Sequence, residues 1–190
     1  MDSELRTKIL ACYTGGGERG EKRREHALAV EIEAGKLAER WGADAREARF
    51  AGLAHDCTKL WSAEEHLKFL EKRGILSEEP KLAHAVTGAE YAREEFGASE
   101  AAVSAIRWHT TGRADMTTLE KLIYLADKID ATRTYDGVER HRELAYSDLD
   151  SAMYAVMSHI LIWNIKRDKI INETTLNARN YYLKVVKERE

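Results

Sequence analysis

One proline and two cysteines stand among 190 residues. So little proline leaves nearly every backbone N–H able to donate, which favours helices. Cys12 and Cys57 lie far apart and form no Cys-x-x-Cys pair, so neither a disulfide framework nor a thiolate zinc site is expected. No apolar run reaches the roughly 18 residues that a bilayer span needs. The amino terminus, MDSELRTKIL, is acidic where a secretory leader would be basic. A surplus of one charge is missing as well: 30 Lys+Arg against 33 Asp+Glu leave a formal net charge of −3. Nothing global therefore draws the chain to nucleic acid or to anionic lipid. A reducing, cytoplasmic setting is expected, with neither a nucleic acid polymer nor a membrane as partner. Any anionic substrate has to be met by local charge.

What the chain does have is 44% hydrophobic and 33% charged residues, the composition of a globular domain with a sizeable core. Apolar residues recur with the 3.6-residue period and no stretch alternates like a strand, so the expected class is all-α. Helices are expected near 3–13, 22–41, 45–56, 63–73, 80–96, 99–109, 117–132, 147–167 and 174–187. Asp44, Ser62, Thr117 and Ser147 each stand three residues before an acidic residue, the pattern of an N-cap. Gly42, Gly74 and Gly97 follow periodic segments as helix stops, and Pro80 is expected to open a helix. No internal repeat is present, and residues 1–190 read as a single domain. The segment from Thr14 to Arg24 is glycine-rich but lacks the GK[ST] ending and preceding strand of a phosphate loop. It reads as a connector whose basic end, Lys22-Arg23-Arg24, can lean towards a phosphate.

Several ionisable residues fall on apolar stripes. His55 follows Ala48 and Ala51 at i, i+3, i+7. His26 shares a face with Val30, Ala34 and Leu37, His84 with Gly88 and Tyr91, His109 with Ala102 and Ile106, and Asp127 with Ile123. A lone histidine of this kind is commonly a hydrogen-bonded core residue, and a helix-end Asp is commonly a cap. Several converging groups are another matter: each buried charge costs several kcal/mol unless partnered, and one cation satisfies them together.

Taken in order, His26, His55-Asp56, His84, His109 and Asp127 resemble the ligand signature of the HD-domain phosphohydrolase superfamily. Within it, Arg23-x-x-His26, Ala51-Gly-Leu-Ala-His-Asp-Cys-Thr-Lys59, Pro80…His84-Ala, Ala105-Ile-Arg-Trp-His-Thr-Thr-Gly112, Leu122-Ile-Tyr-Leu-Ala-Asp127…Arg133 and the tail Thr174 to Asn180 are similar to the bacterial YqeK family. The likeness runs over about residues 20–185. It departs at Ile129-Asp130-Ala131, at Ile171-Asn172 and in the Gly15-Gly-Gly17 loop.

The resemblance implies a helical bundle with a metal site in its core and symmetrical hydrolysis of diadenosine tetraphosphate. His26, His55, Asp56 and Asp127 are the ligands it implies for one ion; His84 and His109 imply a second, with Asp56 bridging the pair. Four imidazoles and two carboxylates without a thiolate suit iron first, then manganese or cobalt. Asp56 and Lys59 are the expected catalytic residues, with a metal-bridging hydroxide as nucleophile at an inner phosphate. Nucleotide contacts are expected from Lys59, His84, Thr110, Asp127, Arg133, Thr174 and Thr175. For Lys59 the other reading is a solvated surface lysine, for Arg133 a surface ion pair, and for Thr110 a helix terminator. Other HD-type nucleotide phosphohydrolases and a non-catalytic nucleotide-binding regulator are the alternative functions. His66 and His141, among charged neighbours, are expected to be exposed, and His159 packed. Cys57 reads as a small buried residue, and the apolar Met153–Trp163 stretch as core or as the seam of a homodimer.

Overall fold

The computed structural model describes residues 1–75 and 82–189. Ten helices and no strand occur among them: α1 Ser3–Ala11, α2 Glu18–Trp41, α3 Ala45–Ala54, α4 Ala63–Glu71, α5 Ala83–Phe96, α6 Glu100–Trp108, α7 Thr118–Ile129, α8 Val138–Ser147, α9 Leu149–Ile165 and α10 Glu173–Lys187. The protein is all-α. Pro80 lies outside the described residues. No helix among them is long and apolar enough to cross a membrane.

Local chemistry accounts for most helix ends. Asp44 accepts from the amides of Arg46 and Glu47, and Ser62 and Thr117 form full capping boxes with Glu65 and Glu120. Gly42 and Gly97 end α2 and α5 in the left-handed conformation.

The structure corrects the expected map in three places. Helix α2 begins at Glu18, so Lys22, Arg23 and Arg24 are helical rather than part of a connector. Helix α3 stops at Ala54, and residues 55–60 continue as tight turns with Cys57 N–H to Ala54 O and Lys59 N–H to Asp56 O. Residues 138–147 form a helix that periodicity missed, and the cap of the next one is Asp148, which accepts from Asp150 and Ser151, instead of Ser147. The charged run Glu139-Arg-His-Arg-Glu143 hides the apolar face of α8, which consists of little more than Val138 and Ala145.

Helices α2, α3, α6 and α7 form the core of the bundle. The α2–α3 seam is built from small residues, with Ala34, Ala38, Ala48 and Ala51 fully buried. At Gly52 a β-carbon would lie 3.0 Å from Val30 O and 3.2 Å from Glu31 Cα, so only glycine lets the backbones come this close. That approach sets His26 and His55 side by side. Helices α9 and α10 pair with each other beside α7 and α8, tied in where the Met116 amide donates to Tyr182 Oη at 3.0 Å.

Candidate metal centre

Five separate segments deliver one histidine or aspartate cluster. His26 comes from the middle of α2, His55 and Asp56 from the end of α3, His84 from the first turn of α5, His109 from the end of α6 and Asp127 from the last turn of α7. All six are buried, the most exposed at 6%. His26 Nε2 stands 3.0 Å from Asp127 Oδ1, and His55 Nε2 lies 3.7 Å from Asp56 Oδ2 and 3.8 Å from Asp127 Oδ1. Asp56 Oδ1 is 3.4 Å from His84 Nε2 and 3.5 Å from His109 Nε2. The imidazoles meet edge to face, with centroids 5.2 Å apart for His26 and His55, 5.0 Å for His55 and His109, and 5.3 Å for His84 and His109.

Helix ends set the chemistry of two rings. His55 and His109 are the C-caps of α3 and α6, and each donates Nδ1–H to the carbonyl three residues back, Gly52 O at 2.7 Å and Ile106 O at 2.6 Å. A carbonyl can only accept, so Nδ1 carries the proton and Nε2 presents its lone pair inwards. Burial lowers the His55 pKa to about 4, which keeps that lone pair free.

The carboxylates are held ionised. Burial opposes charge on Asp56, but the Lys59 ammonium beside it outweighs this and keeps the group well below the usual carboxylate range. Asp127 is held down in the same way by Lys128 and His26, also against burial. At His26, burial disfavours the proton while the hydrogen bonds that the ring donates to Asp127 and Asp130 win, raising the pKa to about 9. A cation taken at His26 Nε2 would have to displace that proton.

The residues present fit a metal ion. His55 Nε2 and Asp56 Oδ1 are buried and have no hydrogen-bond partner among the described residues, a situation that costs about 1–3 kcal/mol per group if nothing else meets them. The donor atoms of His26, His55 and Asp127 lie within 4.8 Å of one another, as do those of His55, Asp56 and His109. The two groups share His55. No thiolate belongs to either: Cys57 Sγ points to Gly88 O at 3.8 Å.

Cations rim the cluster. Lys59, folded back by the turn at 55–60, places Nζ 2.7 Å from His84 Nε2 and 3.5 Å from Asp56 Oδ1. Burial lowers its pKa, and Asp56 and Asp127 act the other way. Arg133 Nη2 donates to Asp127 Oδ1 at 2.7 Å, and Thr110 Oγ1 lies 3.2 Å from His84 Nε2 and 3.0 Å from His109 Nε2. Thr111 turns away and donates to Gly112 O. Thr174 and Thr175 occupy the first turn of α10, where Asn172 caps the Thr175 amide.

Three contributors, Lys128, Asp130 and Arg142, were not expected, and Arg23 was expected only as part of a basic end that leans towards a phosphate. Arg23 Nη1 reaches Asp56 Oδ2 at 3.3 Å, Lys128 Nζ pairs with Asp127 Oδ2, and Asp130 Oδ2 stands 3.3 Å from His26 Nδ1 and 3.1 Å from Arg133 Nε. Arg142 in α8 donates to the carbonyls of Ile129 at 2.8 Å, Asp130 at 2.8 Å and Arg133 at 3.0 Å, holding the segment that carries Arg133. A signal existed for Arg23, one helical turn before His26, and for Lys128 beside Asp127; none pointed to Arg142.

His66 and His141 are buried, contrary to expectation. Their charged sequence neighbours point elsewhere around the helix, while His66 Nδ1 meets Thr87 Oγ1 at 3.0 Å and His141 Nδ1 meets Tyr135 Oη at 2.8 Å.

One cavity opens on the cluster at His26, and another adjoins the groups that rim it. The first, of about 370 Å³, is lined by Glu18, Arg19, Lys22, Arg23, His26, Thr132 and Arg133. The other, of about 350 Å³, runs from Thr110, Lys128 and Arg133 past Tyr135 to Val156, His159, Ile160, Trp163 and Asn164.

Residues 23–132 match the HD domain family. The chain is 34% identical over 181 residues to a symmetrical bis(5'-nucleosyl)-tetraphosphatase of Bacillus subtilis strain 168, covering 93% of this chain and 96% of that one. It is 37% identical over 168 residues to the protein of that name from Halalkalibacterium halodurans, covering 86% and 90%. Its fold is similar to the crystal structure of a protein described as a predicted HD superfamily hydrolase involved in NAD metabolism from Clostridium acetobutylicum. The TM-score is 0.88 at 31% identity, covering 100% of this chain and 99% of the other.

Proposed function

Because the chain belongs to the HD domain family, we propose that it is a metal-dependent hydrolase that splits diadenosine tetraphosphate symmetrically, one water and one tetraphosphate giving two ADP. The observation that carries this reading is the buried cluster with inward-facing imidazole nitrogens and an Asp56 oxygen that takes no hydrogen bond among the described residues, ringed by Arg23, Lys59, Lys128 and Arg133. Relatives named for this activity, aligned over 86% or more of the chain, support it. The proposal takes residues 1–190 as one domain.

In this reading two ions are held, one by His26, His55 and Asp127 and one by His84 and His109, with Asp56 between them. Iron is the proposed metal, with manganese or cobalt next, because the donors are imidazoles and carboxylates without sulfur. Bound divalent ions supply Lewis-acid charge and lower the pKa of coordinated water towards neutrality. The chain's own part is to fix and neutralise. His55 and His109 enter with their tautomers already chosen, at no cost in reorganisation on binding. Asp56 orients the attacking water and takes up its proton. Lys59, Arg133 and Thr110 grip phosphate oxygens, Arg133 with a planar fork suited to two of them. Thr174 and Thr175, at the start of α10, are proposed to reach the nucleotide, and a second copy of the chain is the proposed protein partner, for which exposed Ile162, Ile165 and Ile170 offer an apolar face.

The test is product chromatography after metal reconstitution. ADP as the sole nucleotide product from diadenosine tetraphosphate is expected. ATP plus AMP, or no turnover by metal-loaded protein, overturns the assignment.

A further inference from the structure

The two proposed ion positions are not prepared alike. At the first, His55 Nε2 is buried and takes no hydrogen bond among the described residues. At the second, both imidazoles already meet donors of the chain itself. Lys59 Nζ stands 2.7 Å from His84 Nε2, and Thr110 Oγ1 lies 3.0 Å from His109 Nε2 and 3.2 Å from His84 Nε2.

The direction of these contacts follows from what each group can do. An ammonium has three donors and no acceptor, so Lys59 donates and His84 Nε2 accepts. His109 carries its ring proton on Nδ1, donated to Ile106 O, so its Nε2 accepts as well. The Thr110 hydroxyl has a single proton, and with His84 engaged by Lys59 that proton goes to His109. An imidazole nitrogen has one in-plane lone pair. It accepts a hydrogen bond or binds a metal ion, so an ion that takes His84 must displace Lys59.

The obstacles at the two positions differ in kind. A proton displaced from His26 escapes into solvent, and a displaced hydroxyl only rotates. The Lys59 ammonium stays attached, in the turn where Lys59 N–H donates to Asp56 O at 2.8 Å. It has the charge sign of the ion that would replace it and faces two of the same groups, His84 Nε2 and, at 3.5 Å, Asp56 Oδ1. A tethered competitor acts at high effective concentration. With 27% of its side chain exposed, it also has a way out to the rim.

We propose that Lys59 keeps the place of the second ion: its ammonium occupies His84 until that ion arrives, and is then released to meet phosphate oxygens. The two ions therefore bind in order, and the residue that grips phosphate is set free only in the fully loaded centre. This rests on the two-ion reading above.

The experiment titrates metal-free protein with Mn²⁺, following binding by calorimetry and the pairing of ions by electron paramagnetic resonance. Wild type is expected to take two ions in two steps, with isolated Mn²⁺ prevailing at one equivalent. Lys59→Met, which keeps the stem without the charge, should tighten the second step about tenfold or more, the worth of one hydrogen bond to a charged group. It should move the first step far less and show a larger share of exchange-coupled pairs at one equivalent. Lys59→Arg, which keeps a cationic donor, should stay near wild type. Arg23→Met is the control for charge alone, because Arg23 contacts the same carboxylate at Asp56 Oδ2, 3.3 Å away, and is not among the donors to His84; it should change the second step less than threefold. A second step left unchanged or weakened in Lys59→Met overturns the inference, as does an equal gain in Arg23→Met. A single ion at saturation in both wild type and Lys59→Met overturns instead the two-ion reading on which it stands.

Discussion

His55 and His109 are oriented by one device used twice: each caps the C-terminus of its helix and donates Nδ1–H to the carbonyl three residues back. The acceptor lies in the last helical turn, where Ile106 O also takes the His109 backbone N–H at 3.4 Å, and the same bond aims both Nε2 atoms at Asp56 and that of His55 at Asp127 as well. Metal-site orientation and helix capping are thus one interaction, and the cluster needs no separate scaffold of polar side chains around these two rings.

Asp56 stands among three imidazoles, with His84 and His109 near Oδ1 and His55 near Oδ2. Asp56→Ala is expected to abolish hydrolysis and to lower metal content while the helical far-UV spectrum stays native, since the residue sits in turns between helices. Elemental analysis of chelator-treated, reconstituted protein together with product chromatography checks this. Wild-type turnover by the variant would sink the metal reading.

Lys59 contacts the cluster from its rim, with 27% of its side chain exposed. Lys59→Ala should cut kcat/KM by roughly 100- to 1,000-fold, the range for removing one positioned group that stabilises developing negative charge, with metal content unchanged. Lys59→Arg should restore part of the loss through KM. A variant that loses its metal instead would assign Lys59 to holding His84.

The legible part of this protein was the part with helical period. His26, His55, His84, His109 and Asp127 each stood on an apolar stripe, so their convergence could be read from spacing, and the capping boxes at Ser62 and Thr117 announced their helices. What escaped depends on tertiary folding. Helix α8 has a charged face that masks its two buried apolar residues, so neither the helix nor Arg142 was visible. His66 and His141 looked exposed because adjacent residues on a helix point about 100° apart, and charged neighbours say little about the residue between them. The cavity of about 350 Å³ combines Tyr135 with residues two turns apart along α9, an assembly no local pattern encodes.

Arg142 follows from that last point. Its three carbonyl acceptors belong to residues 129, 130 and 133, so it fixes the segment that presents Arg133 without touching the cluster itself. Arg142→Leu leaves those carbonyls short of donors and should cost about 2–4 kcal/mol of stability and raise KM more than it lowers kcat, with metal content retained. Arg142→Lys should recover stability in part and KM less, because an ammonium cannot span three acceptors as a planar fork does. An unchanged KM in the leucine variant would remove the positioning role.

His66 and His141 give the metal-free protein a pH dependence of their own. Burial lowers both below the ordinary imidazole value of 6.5; nearby Lys59 lowers His66 further against Glu65, and His159 and Arg140 lower His141. The unfolded chain therefore takes up protons near pH 6.5 that the folded chain refuses until the pH is lower. Stability rises with pH wherever the unfolded state binds more protons, so the contribution of these two groups is complete above about pH 6.5 and is lost as the pH falls below it. Neither residue belongs to the cluster, so comparing wild type with His66→Gln/His141→Gln cancels the titration of the metal ligands. Denaturant titrations of both proteins, freed of metal, between pH 7.5 and 5 should give a shallower decline for the double variant, whose glutamines do not titrate. Parallel declines would mean that both imidazoles protonate in place, and that Thr87 and Tyr135 accept from them in either state.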